Sequence, residues 1–254
     1  MATIDTIKVK VEKLLRMATD REGTPEGDAF RDKAFELMAH YGVERSQMHS
    51  NEPHTAMHRD VDFAGTYTDM QFELFNSLAS ELHCQAVMFR IPRSSKVQHA
   101  VVFGCSHHVE RVMLLFGLLS PQMILGATKH AQLSPNRHIS SQTQKRSWMN
   151  GFISTIATRL RQIESHYADE YTQTDSASGT VTPGAIVLRD DRDKATSLAA
   201  EHFPHLRRSR SARRTWDPDS FHLGVTKGNT IDLGQTKMPT DKEALPAGGS
   251  TTQL

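Results

Sequence analysis

The stretch 85-QAVMFRIPRSSKVQHAVVFGCSHHVERVMLLFGLL-119 decides the fold. Gln85 to Ile91 and Val97 to Phe103 read as two strands, and Pro92-Arg93-Ser94-Ser95-Lys96 supplies the turn between them. A helix then begins near Ser106 and carries the apolar set Val109, Val112, Met113, Leu114, Leu115 and Leu118. Pro121 is a place for that helix to kink or end, with continuation towards Ala131. A strand pair running straight into an apolar helix calls for layers of helix on a small antiparallel sheet. The expected fold class is α+β.

Upstream, an amphipathic helix from Asp69 runs through Phe72, Phe75, Leu78, Ala79 and Leu82, and Val61-Asp62-Phe63 reads as a short strand. Further back lie two helices of a hairpin. Ile7, Val11, Leu14, Leu15 and Ala18 recur at helical spacing among Lys8, Lys10, Glu12, Lys13 and Arg16. Thr24-Pro25-Glu26 reads as N-cap, first-turn proline and an acidic residue suited to the helix dipole. The helix it starts carries Phe30, Ala34, Leu37, Met38 and Tyr41, and Gly42 is a natural left-handed terminator. Such a pair is marginal alone and must dock on something.

Downstream, a polar stretch with Pro135 leads into a long helix from about Gln142 to Tyr171, striped by Trp148, Phe152, Ile156, Leu160 and Ile163. Residues 172–184 are low in complexity and expected to form a mobile loop. Ala185 to Leu188 reads as a strand, Asp191 to His202 as a short helix, and Asp217 to Lys227 as another, followed by a short Thr230 to Leu233 segment. The expected organisation is a helical hairpin (1–43), a polar linker (44–56), an α+β domain (57–235) and a disordered tail (236–254).

Composition narrows the classes. The chain has 254 residues, 30 basic and 29 acidic, for a net charge of +1. No global field draws it to DNA or anionic lipid, so any nucleic-acid contact needs a local patch. The N-terminus lacks the continuous apolar core of a signal peptide. The longest uninterrupted apolar run, Val112 to Leu119, falls short of the roughly 18 residues of a membrane span. Two cysteines, Cys84 and Cys105, make no disulfide framework. A cytoplasmic location without membrane partners is the expectation.

The pattern IKVKVEKLLRMA, the spacer Gly-Thr-Pro-Glu-Gly, and DAFRDKAFELMAHYGV together resemble the domain of unknown function 2786, a family of bacteriophages and actinobacteria. The later VVFG, VERVMLLFGLL, SWMNGFISTIATRL and FHLGVTKGNTIDLG are similar to the domain that often follows it. The resemblance implies an intracellular two-part protein without an established activity. It carries over no catalytic residues.

Four constellations could bear chemistry. A turn centred on Ser94-Ser95 sets Phe89 opposite Ala100 and Val87 opposite Val102; extended, it sets Cys84 opposite Cys105. His83 and His107 flank them, with His108 and Glu110 nearby, giving the thiolate and imidazole ligands that Zn²⁺ prefers. The blander alternative is two buried cysteines at strand ends. His107 and His108, adjacent on a helix and about 100° apart, are not expected to share one metal. Second, Arg207, Arg208, Arg210, Arg213 and Arg214, with Trp216 just after, could grip phosphates and stack on a base; a solvated loop neutralised by Asp217 and Asp219 is the alternative. Third, Asp190, Asp191 and Asp193 suit a helix N-terminus. Pro218-Asp219 with Gln235-x-Lys237 loosely mimics a Mg²⁺ nuclease, although glutamine replaces the usual acid. Fourth, Gly224 and Gly228 allow another element to approach closely.

The leading expectation is a non-enzymatic accessory protein of phage type. It would contact nucleic acid or a nucleoprotein partner through the arginines, and a protein partner through the hairpin. A metal-dependent enzyme, with zinc at the Cys/His hairpin or Mg²⁺ at Asp219, is the competing class, and a protein–protein adaptor the third.

Overall fold

In the computed structural model, residues 56–133, 138–170, 172–174, 181–206 and 215–231 are described, with positions 13, 14, 17, 20, 21, 26, 30 and 33 of the N-terminal segment. Among the latter, Lys13, Leu14, Met17 and Asp20 are helical, as are Glu26, Phe30 and Lys33. Arg21 links the two groups by an ion pair with Glu26 and by lying 5.6 Å over the Phe30 ring. The rest of the expected hairpin and linker, the five arginines of the basic run, and everything after Ile231 lie outside the described residues.

The centre of the described structure is an antiparallel sheet in the order β1-β3-β2, made of β1 (Ala56–Asp62), β2 (Gln85–Arg90) and β3 (Val97–Cys105). The middle strand is apolar at nearly every position because both its faces are covered. Val61, Ala86, Val97, Ala100 and Val102 join the main core. Val87, Val101 and Phe103 look the other way, towards Ala199, Leu198 and Phe203. Period-two alternation places consecutive residues on opposite faces. A strand buried on both sides therefore reads as a continuous apolar run.

Two helices, α1 (Thr68–Glu81) and α2 (Ser106–Leu133), pack on this sheet; α3 (Ser141–Glu170) packs on both of them, and α5 (Pro218–Thr230) on α3. Leu74, Phe75, Leu78, Leu119, Met123, Met149, Phe152 and Ile156, almost wholly buried, fill the space between α1, α2 and α3. Phe75 and Phe116 meet edge to face at 5.1 Å, and Phe63 adds a second edge at 5.8 Å from Phe75. The fifth helix, α4 (Gly184–His202), covers the sheet's opposite face. The expected α+β class is what the structure shows.

Several local expectations change. The stretch 185–188, expected as a strand, is the first turn of α4, which starts at Gly184 after Pro183. Its Val187 and Leu188 point inward while Ala185 and Ile186 are exposed, a helical and not an alternating pattern. Within the stretch expected to be a loop, β4 (Thr172–Thr174) pairs antiparallel with β5 (Val181–Pro183). Pro121 does not end α2: the carbonyl whose hydrogen bond it forfeits belongs to Gly117, an exposed position. By length and composition α2 also qualifies as a membrane-crossing helix, although one of its sides is built into the core.

The hairpin register differs as well. Gln85 lies opposite Phe103 and Phe89 opposite His99, with a bulge between Phe89 and Arg90. That bulge moves the ladder by one residue. Cys84 therefore sits over Gly104, whose missing side chain makes room for it: a Cβ there would come within 2.5 Å of the Cys84 sulfur. Cys105 instead pairs with Ala56 of β1.

Candidate metal centre

β3 passes into α2 without a spacer, Cys105 closing the strand and Ser106 opening the helix. His107 and His108 thus fall in the helix's first turn, against the sheet face that α4 covers. The Asp191 side chain, only 1% exposed, approaches them from α4. His108 Nε2 lies 3.3 Å and His107 Nε2 4.0 Å from Asp191 Oδ2. One ligand atom from each of His107, His108 and Asp191 can be chosen so that all lie within 4.8 Å of one another. Lys194, one turn on, reaches Asp191 Oδ1 at 3.2 Å, and the Cys105 thiol donates to the same carboxylate.

A second buried group adjoins the first. His83 follows the end of α1 in a left-handed conformation (φ 59°) and its ring lies 5.3 Å from that of His108. His83 Nε2 is 3.3 Å from Glu164 Oε2 on α3, while Glu164 Oε1 accepts from Arg111 Nη2 at 2.5 Å.

The electrostatics follow from burial. Burial lowers His108 to about 4; the Asp191 carboxylate opposes this, and Arg111 and His83 add to it. Its imidazole is neutral at pH 7, the form that ligates metal. Burial raises Cys105 to about 12, with Asp191 contributing, and pushes Cys84 above the usual thiol range. Such thiols are inert as nucleophiles. For Glu164 burial pushes upward, but Arg111 and His83 overcome it and hold the carboxyl at about 2.

Polar satisfaction singles this cluster out. Among the described residues, His83 Nε2, both His108 ring nitrogens and Glu164 Oε2 are buried without a well-directed hydrogen bond. His83 Nε2 and Glu164 Oε2 face each other at 3.3 Å, as do His108 Nε2 and Asp191 Oδ2, so among the described residues His108 Nδ1 is the one of these atoms with no facing partner. An atom left so costs about 1–3 kcal/mol if nothing satisfies it. The concentration of these groups at one junction points to a site that accepts a further ligand.

The expected ligands divide between the two faces of the sheet. His107 belongs to the triangle, Cys105 borders it through Asp191, and His83 stands behind His108. Cys84 belongs to the main core under Gly104, a correction that follows from the register shift. The two adjacent histidines, expected to point about 100° apart and so not readily to serve one metal, instead bring their rings together, with centroids 3.9 Å apart. Long side chains at a helix's first turn bend towards a common partner despite the angle between their Cβ directions. Sequence reading missed Asp191, which it placed at a helix start. With α4 beginning at Gly184, Asp191 lies in the helix interior, and of Asp190, Asp191 and Asp193 only Asp191 is buried.

Elsewhere, Trp216 is 51% exposed with its ring 4.4 Å from Phe221. Arg207, Arg208, Arg210, Arg213 and Arg214 lie outside the described residues, as do Gln235 and Lys237. Asp219 is exposed in the first turn of α5.

No curated protein and no solved structure matches the chain. Residues 6–45 match the family model described as "Protein of unknown function (DUF2786)", so the N-terminal segment is similar to that family, as its sequence pattern suggested.

Proposed function

We propose that this is a metal-binding protein whose centre, His107, His108 and Asp191, takes a divalent cation of the zinc class. The observation that carries the reading is the convergence of three ligand atoms within 4.8 Å at a junction holding an unsatisfied buried nitrogen. Two imidazoles and a carboxylate suit borderline cations such as Zn²⁺ better than oxygen-seeking Mg²⁺ or Ca²⁺. A tetrahedral zinc with bonds of about 2.1 Å needs ligand atoms about 3.4 Å apart, a modest contraction of the present triangle. The fourth position falls to water or to Cys105, whose thiol would lose its proton on coordination. The ligands come from two elements that meet across the sheet, so the ion fastens α4 to the β3–α2 junction. His83 and Glu164 support His108 from behind.

Metal analysis and zinc titration of the purified, tag-free chain test this reading. About one zinc per chain is expected, with binding lost in Asp191→Asn and in His107→Ala. A folded protein that takes up no zinc, or variants that bind as well as the parent, would overturn it. Cobalt substitution reports geometry independently through its visible absorption.

A second reading, contact with nucleic acid through the arginine run in a phage-type accessory protein, is favoured by Trp216. This indole is half-exposed, backed by Phe221, and follows Arg214 closely in the chain. Binding of a single-stranded oligonucleotide should weaken steeply with salt and fall on neutralising Arg207, Arg208, Arg210, Arg213 and Arg214. Salt-independent binding, or none, counts against it.

A further inference from the structure

We infer that Lys194 is a resident cation that competes with the metal for Asp191, so that the centre is built for reversible occupancy. This rests on the reading of His107, His108 and Asp191 as a metal centre. Lys194 stands one turn from Asp191 on α4, and its Nζ reaches Asp191 Oδ1 at 3.2 Å. The other oxygen, Oδ2, faces His108 Nε2 at 3.3 Å and His107 Nε2 at 4.0 Å. One carboxylate is thus divided between an ammonium and the ligand triangle.

Burial creates the need for that ammonium. The Asp191 side chain is 1% exposed, and a carboxylate so placed requires a counter-charge. Lys194 supplies it from the rim of the site. Its own side chain is 46% exposed, so the flexible stem can carry the ammonium back into water. Charge then decides the sign of the effect. Asp191 and Lys194 cancel, as do Glu164 and Arg111 behind His108. A divalent cation on Oδ2 brings two more positive charges within about 8 Å of the ammonium, where partial burial weakens screening. Even with Cys105 ionised as a fourth ligand, one positive charge stays uncompensated while Lys194 is in place. Metal entry therefore drives the ammonium out, and its return helps to release the metal. A permanently closed zinc site balances its charge with ligands alone. Here the balance is struck before the metal arrives, by a group that can leave.

Competition against a chromophoric chelator measures the zinc affinity of the full chain and of its Lys194 variants. Lys194→Met keeps the stem and removes the charge, and should bind zinc at least about tenfold more tightly than the parent. Lys194→Gln should follow it, which guards against a folding defect peculiar to one variant. Lys194→Arg keeps the charge and should stay within about threefold of the parent. A lysine that only orients the carboxylate gives the opposite sign, with the methionine variant binding more weakly. Weaker or unchanged binding in the Met and Gln variants, while the parent takes up zinc, overturns this inference and leaves the metal centre standing. An arginine variant as tight as the methionine one overturns it too, because charge would not be the cause. Zinc taken up by neither the parent nor Lys194→Met overturns the metal centre itself, and the inference with it. Uptake confined to the neutral variants is the competition at its strongest, and supports it.

Discussion

His108 sits where three demands meet: a strand end, the first turn of α2, and the one buried carboxylate of α4. Its imidazole is 2% exposed and burial lowers it to about 4. A histidine held neutral in the folded chain takes its proton first in the unfolded one. Stability is therefore full above about pH 6.5 and declines as pH falls towards 4, by up to about 3 kcal/mol in the metal-free protein. Denaturant midpoints at pH 7.5 and 5.0 should show this decline, and His108→Gln should flatten it. A midpoint that holds steady between those values would contradict the assigned burial. Glu164, held at about 2, acts in a lower window: its contribution is complete above about pH 4.5 and lost as pH falls through 2.

At the scale of elements, the pairing of α3 with α5 depends on glycines. Cβ atoms at Gly151 and Gly224 would lie 2.1 Å from the Phe221 carbonyl oxygen and 2.0 Å from that of Trp148. The backbones touch there, the packing role expected of Gly224 and Gly228. Arg159 then closes the α5 end by donating to the Gly228 carbonyl at 2.6 Å and to that of Ile231. Gly224→Ala should cost at least about 3 kcal/mol, because the obstacle is backbone. Gly228→Ala meets the Thr155 Cβ at 2.8 Å, a looser clash than that at Gly224 but one that rotation of the side chain does not relieve, and should cost about 1–3 kcal/mol, less than Gly224→Ala. Thermal or chemical unfolding of the two variants orders them; equal costs would mean that α5 shifts as a body.

Across the whole molecule, α4 is the cover of the sheet's second face, resting there on Val87, Val101 and Phe103. That patch is small beside the main core, which makes a metal link to α2 valuable. With free zinc at 100 times its dissociation constant, stability should rise by about 2.7 kcal/mol. The melting temperature should then climb by roughly 5–10 °C, reversibly with chelator. Asp191→Asn should abolish the shift. A melting temperature indifferent to zinc would remove the clamp.

Local pattern carried much of this architecture. The stripe Phe72-Phe75-Leu78-Leu82 marked α1, Trp148-Phe152-Ile156-Leu160 marked α3, and the apolar runs on either side of Ser94 marked β2 and β3, because each element's period is written in consecutive residues. The histidines at the strand–helix junction were visible too, as a cluster of ligand types. What the sequence could not supply was the partner of those histidines. Asp191 looks like its neighbours Asp190 and Asp193 until α4 is laid on the sheet and one carboxylate of the three turns inward. The fate of the cysteines was equally hidden: a single bulge at Phe89–Arg90 decides which face each thiol meets. Hydrophobic period determines the elements locally, whereas register and the meeting of distant side chains are settled by packing, the lowest-energy fit of surfaces that the chain brings together only on folding.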